Sequence, residues 1–271
     1  MRADLALVEK GLCPSRAQAQ ILIEQGKVLV RNGVIQAPVV VKKASQQIEP
    51  FMTLELVHCD VPNFVSRGGL KLHHALEYTQ VNVFGKRCID LGQSTGGFTD
   101  CLLQKGALSV VGVDVGRDQL HPSLREHPAV MAMEGINLYK TCASELQHDI
   151  AALRSDFMPF ELAVADLSFI SLRKVLPNIS RLMHAGCEGL FLVKPQFEVG
   201  PEHLGKNGLV KNLNDLITQL EKDVKTCCTQ LDLIVKDFFQ CELKGGDGNQ
   251  EYFVYVVKSI VAATNQSHCE Q

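Results

Sequence analysis

No apolar run in the 271 residues approaches the length of about 18 that a bilayer-spanning helix needs; even the stretch from Tyr252 to Ala263 is interrupted by Lys258. No transmembrane segment is expected. The first residues, MRADLALVEKG, spread their charges and contain no apolar core segment, so a secretory signal peptide is not expected either. Ten cysteines occur without a C-x-x-C pair and without Cys/His ligand spacing, which argues against structural zinc and for thiols in a reducing cytoplasm. The chain also lacks the G-x-G-x-x-G turn that seats a pyrophosphate, which disfavours a nicotinamide dehydrogenase.

With 46% hydrophobic and 21% charged residues, the chain can build one large core and a smaller one. Its net charge of −3 gives no general attraction for nucleic acid, but the distribution is uneven. From Met1 to Ala44 seven Lys/Arg face three acids, a net +4, and the remainder carries −7. A basic module joined to an acidic body suits gripping a polyanion with one part and acting on it with the other.

The stretch Cys88 to Asp100, CIDLGQSTGGFTD, organises the larger part. Arg87 to Leu91 is a short apolar run that predicts a buried strand turning at Gly92. Ser94 and Thr95 are expected to cap the following helix, and Gly96 and Gly97 leave its backbone N–H groups open to a ligand. Val110 to Asp114 predicts a second strand ending in an acid about 20 residues on, where a nucleoside-binding sheet needs a carboxylate for ribose hydroxyls. A turn reading D-x-G-x-S-T-G-G has no pyrophosphate seat. The ligand is therefore expected to be a nucleoside without a diphosphate, and S-adenosylmethionine fits best.

Further strands are predicted at Ala129 to Met133, Leu162 to Asp166, Gly189 to Val193, Asp232 to Phe239 and Tyr252 to Val257, with amphipathic segments such as Leu172 to Leu182 between them. Seven strands with interleaved helices predict an α/β domain with the Rossmann-like, doubly wound sheet of a methyltransferase. Asp166, Lys194 and Glu251 fall at strand ends bordering the switch point. Position alone allows a ligand-holding site or an ion-pair network that closes the sheet rim. Ser66 is expected to cap a helix with Leu72, Ala75 and Leu76 on its apolar stripe, beside which Lys71 reads as a solvated or snorkelling lysine.

In the N-terminal part, Leu5 to Gly26 predicts two short helices, the second capped by Ser15 and stopped by Gly26. Lys27 to Arg31, Asn32-Gly33 and Val34-Ile35 then predict a hairpin, and Met52 to Val57 one further strand.

Two resemblances follow. The pattern R-x-D-L-x-L-V-x-x-G-L-x-x-S-R-x-x-A-x-x-L-I-x-x-G-x-V-x-V resembles an S4 RNA-binding domain, a small α+β module. Lys71 in SRGGLKL, Asp166 in VADLSFISL, Lys194 in LVKPQFEVG and Glu251 in GNQEYFV match the Lys-Asp-Lys-Glu tetrad of the FtsJ/RrmJ-type ribose 2′-O-methyltransferases. Together they make the chain similar, over about residues 2 to 257, to the TlyA or haemolysin A family of rRNA 2′-O-methyltransferases. The resemblance implies an S4-like domain over 1–61, a linker over 62–65, a methyltransferase domain over 66–260 and a disordered tail over 261–271.

It further implies S-adenosylmethionine as cofactor, no metal, ribosomal RNA or ribosomal subunits as partner, and Lys71, Asp166, Lys194 and Glu251 as catalytic residues. Lys194 would meet the 2′-oxygen as base or alkoxide stabiliser, Asp166 would orient it, Lys71 would add a second cation and Glu251 would position a lysine or the ribose. The cofactor is expected against Asp90, Gly92, Ser94, Thr95, Gly96, Gly97, Asp114, Val115, Glu134, Asn137 and Asp166. Arg2, Arg16, Gln18, Lys27 and Arg31 are candidates for the RNA face, and Arg67 for a phosphate contact. Three positions depart from the family pattern: Tyr139 stands near a missing arginine, Asn63-Phe64 replaces a basic-aromatic pair, and Cys241-Glu242-Leu243-Lys244 replaces a Ser-Pro turn. Two rival functions are a non-catalytic rRNA-binding assembly factor and, from the family's haemolysin name, a membrane-active protein; the latter finds no strongly amphipathic cationic helix here.

Overall fold

The computed structural model describes residues 1–24, 26–32, 38–56 and 63–260. The chain forms two compact units, Met1–Arg67 and the residues from Gly68 onward. In the first, helices α1 (Ala3–Glu9) and α2 (Arg16–Glu24) accompany a three-stranded antiparallel sheet, β1 (Val28–Asn32), β2 (Val39–Val40) and β3 (Met52–Leu56), in the order β2-β1-β3. Leu7, Ala19, Ile23, Val28, Val30, Val41, Ile48 and Leu54 form the core. As expected, Ser15 caps α2, its Oγ accepting the Gln18 N–H at 3.3 Å.

The hairpin differs from expectation. β1 pairs with Val39–Val40, with Leu29 opposite Val40 and Val30 opposite Val39. The expected turn residue Gly33 and return strand Val34-Ile35 lie outside the described residues, as do Val57 and the expected tail 261–271.

The second unit begins with α3 (Arg67–Thr79) and continues β4 (Arg87–Leu91), α4 (Gly97–Gln104), β5 (Ser109–Asp114), α5 (Pro122–Arg125), β6 (Val130–Glu134), α6 (Ala143–Arg154), β7 (Leu162–Ala165), α7 (Leu172–Leu182), β8 (Glu188–Val193), α8 (Pro195–Glu198), α9 (Leu213–Gln230), β9 (Leu233–Gln240) and β10 (Tyr252–Lys258). The sheet order is β6-β5-β4-β7-β8-β10-β9. Neighbours from β6 to β8 are parallel, and β10 runs antiparallel between β8 and β9. The inner strands carry near-continuous apolar runs because helices cover both faces. On one face Ile89, Val111, Ala163 and Phe191 pack with Leu146, Ile150, Leu176, Ile179 and Val224. Phe253, next to Val254 of that cluster and so on the opposite face, stacks with Phe98 of α4 at 6.4 Å between ring centroids.

The chain builds outward from β4 to β6, then returns to place β7 on the other side of β4. The crevice between the carboxyl ends of β4 and β7 is the switch point where ligands are held in such sheets. No helix among the described residues is long and apolar enough to cross a membrane.

Candidate active site

A cavity of about 470 Å³ opens at this switch point, within the size range of small-molecule sites. Of the residues expected to meet a cofactor, Gly92, Ser94, Asp114, Val115, Asn137 and Asp166 line it. The Asp114 carboxylate accepts the Ser94 N–H at 2.8 Å and the Gly116 N–H at 2.6 Å. Each oxygen keeps a second lone pair for a hydroxyl. Gly92 has φ +88°, and a Cβ there would lie 2.6 Å from the Asp166 carbonyl oxygen. That close approach brings the loop after β4 against the loop after β7.

Thr95, Gly96, Gly97, Asp90 and Glu134 are not on the cavity wall. Gly96, at φ +93°, is the N-cap of α4 with no side-chain cap bond, so neither Ser94 nor Thr95 caps that helix. A Cβ at Gly96 would fall 2.4 Å from Leu124 and 2.7 Å from Leu120, so this glycine serves packing. The Glu134 carboxylate is held by Arg125 at 2.6 Å and by the Asp118 N–H at 3.1 Å. The Arg125 bond keeps it below the usual carboxylate range. Asp90 is fully buried and accepts the Thr99 hydroxyl at 2.7 Å, while Gln93 donates to the same Thr99 at 2.9 Å. Burial pushes its carboxyl up to about 7, and its Oδ1 has no hydrogen-bond partner among the described residues.

The four tetrad residues form two ion pairs. Lys194 Nζ lies 2.7 Å from Asp166 Oδ1 and donates to Ser168 Oγ at 2.8 Å. Lys71 Nζ lies 2.5 Å from Glu251 Oε2, and both side chains are buried. Lys71 is thus not the solvated lysine its helix pattern suggested. Burial pulls its ammonium down, but the carboxylates of Asp166 and Glu251 outweigh it and raise its pKa. Burial raises the Glu251 carboxyl, an effect that Lys71 and Lys194 oppose. These mutual fields couple the two pairs into one cluster, with Asp166 common to the cluster and the cavity.

The loop from Cys241 is tied to the same cluster. Its N–H donates to the Glu251 carbonyl at 2.9 Å, and Gln250 Nε2 donates to its carbonyl at 2.7 Å. Cys241 is buried, which pushes its thiol up to about 11. At the second family departure, Phe64 is buried and Asn63 exposed.

In the first unit, Arg2 and Arg16 both bind the carboxylate of Asp4, whose side chain is fully buried, at 3.0 and 3.1 Å. Arg31 pairs with Glu55 at 3.0 Å. Gln18 and Lys27 are half-buried, as is Arg67 at the start of α3.

Sequence reasoning passed over Gln119, Ser168 and Phe169, which line the cavity, and noted Tyr139, which also lines it, only as a departure from the family pattern. Ser168 follows Asp166 by two residues, and its role as a lysine partner had only that proximity as a signal. Phe169 is 91% exposed with φ +64°, which for a bulky aromatic is a costly conformation.

Among known proteins, residues 64–258 match the model of the FtsJ-like methyltransferase family and residues 1–53 that of the S4 domain. The 16S/23S rRNA (cytidine-2′-O)-methyltransferase TlyA of Mycobacterium tuberculosis is 39% identical over 94% of this chain and 89% of its own length. The 23S rRNA (cytidine-2′-O)-methyltransferase TlyA of Campylobacter jejuni is 35% identical over 96% of this chain and all of its own length. A solved structure from Streptococcus thermophilus, described as a candidate hemolysin, superposes with a TM-score of 0.68 at 33% identity, covering 96% of this chain and 89% of that one. The chain belongs to the FtsJ-like methyltransferase family, in the TlyA group whose methyltransferase domain follows an S4 domain.

Proposed function

We propose that the protein transfers a methyl group from S-adenosylmethionine to a ribose 2′-hydroxyl of ribosomal RNA in the cytoplasm. The observation that carries the reading is the double role of Asp166, which lines the cavity and pairs with Lys194. A cofactor pocket and a pair of lysines thus share one carboxylate.

The residues fit a cationic nucleoside. Asp114 and Asp166 face the cavity, so the local field favours a ligand bearing a sulfonium and an ammonium. When bound, this cofactor supplies an electrophilic methyl group. Asp114 would take the ribose hydroxyls, and Val115 and Asn137 would border the base. Lys194 would meet the 2′-oxygen as base or as stabiliser of the developing alkoxide, with Asp166 fixing its position. Lys71, held charged by two carboxylates, would supply a fixed positive field, and Glu251 would keep it in place.

The S4 domain and its basic stretch would grip the RNA backbone, which positions without reading sequence. The exposed ring of Phe169 at the cavity rim offers a face on which an unstacked base can lie. The test is methyl transfer by the purified chain to ribosomal subunits and to free rRNA, with the modified position mapped by mass and by resistance of its linkage to alkaline cleavage. Methyl on a base, or none on either substrate, sinks the proposal.

A further inference from the structure

Lys194 and Asp166 come from different loops, one after β8 and the other after β7, so something must fix how those loops meet. Three successive contacts join them. Ser168 accepts from Lys194 at 2.8 Å, the Phe169 and Phe197 rings lie 5.5 Å apart, and Glu198 binds three consecutive residues at the start of α7. Its carboxylate, on a side chain 1% exposed, accepts the Ser171 hydroxyl at 2.7 Å, the Leu172 N–H at 2.5 Å and Arg173 Nε at 2.9 Å. Arg173 also donates to the Glu198 carbonyl at 2.9 Å and to Asp223 at 3.2 Å.

Ser171 occupies the N-cap position of α7 yet makes no cap bond of its own. Its hydroxyl points to Glu198, and Glu198 takes over the cap by accepting the orphan N–H of Leu172. A carboxylate at this end is favoured by the helix dipole as well as by the bond. The cap is therefore borrowed from the segment that carries Lys194 one turn earlier. We infer that Glu198 is a positioning residue: it clamps the Lys194 segment to the start of α7 and so sets the Lys194 to Asp166 geometry at the cavity. The inference rests on the reading of Lys194 as the group that meets the 2′-oxygen.

A neutral glutamine keeps the shape but puts an NH₂ group where acceptor oxygens are needed and removes the charge that Arg173 and the helix end require. The experiment compares Glu198→Gln, Lys194→Ala and the double variant in the full chain, measuring kcat, KM for RNA and cofactor affinity. Displacement of a reacting group by about 1 Å costs on the order of 10²-fold in rate, so Glu198→Gln is expected to lower kcat by roughly 10- to 100-fold. Cofactor affinity and KM for RNA should stay within about two-fold, and the loss should vanish in the Lys194→Ala background, as expected when one residue acts through another. A purely structural role predicts equal losses in both backgrounds, and that result overturns the inference.

So does a wild-type kcat in Glu198→Gln while Lys194→Ala is inactive, an outcome that leaves the reading of Lys194 standing. Full activity in Lys194→Ala overturns both. Should Glu198→Gln fail to fold, Ser171→Ala removes only one of the bonds, and the same cycle with Lys194→Ala decides: a kcat loss confined to the Lys194 background supports the clamp, and no loss or an equal loss overturns it.

Discussion

Lys71 Nζ and Glu251 Oε2 sit 2.5 Å apart across 180 residues of sequence, in a place where neither is solvated. Removing one partner leaves the other as an uncompensated buried charge. Glu251→Ala is expected to destabilise the second unit by about 3 to 5 kcal/mol, whereas replacing both with apolar groups of similar size recovers most of that loss. Chemical denaturation of Glu251→Ala and of Lys71→Met/Glu251→Leu checks this. The double variant should be folded and unable to transfer methyl groups; activity in it would show that the second cation is dispensable.

Lys194 lies beside both the cavity and Asp166, so its two possible roles separate on substitution. As a base it cannot be replaced by arginine, which keeps its protons. Lys194→Ala and Lys194→Arg are both expected to lose on the order of 10²- to 10⁴-fold in kcat with cofactor affinity little changed. Substantial turnover by Lys194→Arg would assign the residue to alkoxide stabilisation.

Asp90 gives the ligand-free fold a pH dependence. Burial raises its carboxyl to about 7, above the value of about 4 in an unfolded chain. The folded state therefore favours the protonated form. Its contribution is fully present below about pH 4, is lost as pH rises through about 7, and amounts to a few kcal/mol. Subtracting the stability profile of Asp90→Asn from that of the native chain should isolate this slope. A flat difference between pH 4 and 8 would show that Asp90 is solvated.

At Gly92 the left-handed backbone and the Asp166 carbonyl both exclude a side chain. Gly92→Ala is expected to cost about 1 to 2 kcal/mol in backbone strain and, by pushing Asp166 away, to weaken cofactor binding and lower turnover together. Titration with S-adenosylhomocysteine measures the first effect independently of the second.

The exposed ring of Phe169 serves no core. Phe169→Ala is expected to leave stability unchanged and to reduce methyl transfer to RNA at saturating cofactor, while Phe169→Tyr retains it. Base–aromatic stacking of about 1 to 3 kcal/mol corresponds to a loss of roughly 5- to 150-fold. An unaltered rate in Phe169→Ala would remove the residue from substrate contact.

The large sheet was legible because its inner strands are apolar runs broken by acids and glycines, a pattern that burial on both faces imposes. Asp166, Lys194 and Glu251 were legible by position as charged groups at strand ends, but Lys71 and the grouping of the four only through motifs. The helix pattern around Lys71 carries no information about a carboxylate 180 residues away. Elsewhere, one local signal stood for a different cause. Gly96 is a glycine because Leu120 and Leu124 crowd it, and the acid at the end of β6, Glu134, is claimed by Arg125. Ser94 was read as a cap, but its amide is bound by Asp114. The return strand at Val39–Val40 is only two residues long, too short for periodicity to reveal. Glu198 gave no sign at all, since a cap borrowed from another loop leaves no mark on the helix it serves.

The antiparallel placement of β10 has a consequence for synthesis. Because it enters the sheet from the rim, Tyr252 pairs with Val193 and the residue before it, Glu251, arrives beside Lys194. Every described side chain that lines the cavity has been translated by Val175, long before Glu251. Of the two carboxylates whose fields hold Lys71 charged, Asp166 is thus made early and Glu251, which pairs with it directly, only near the end, so the complete ion-pair cluster is deferred until the last strand is in place.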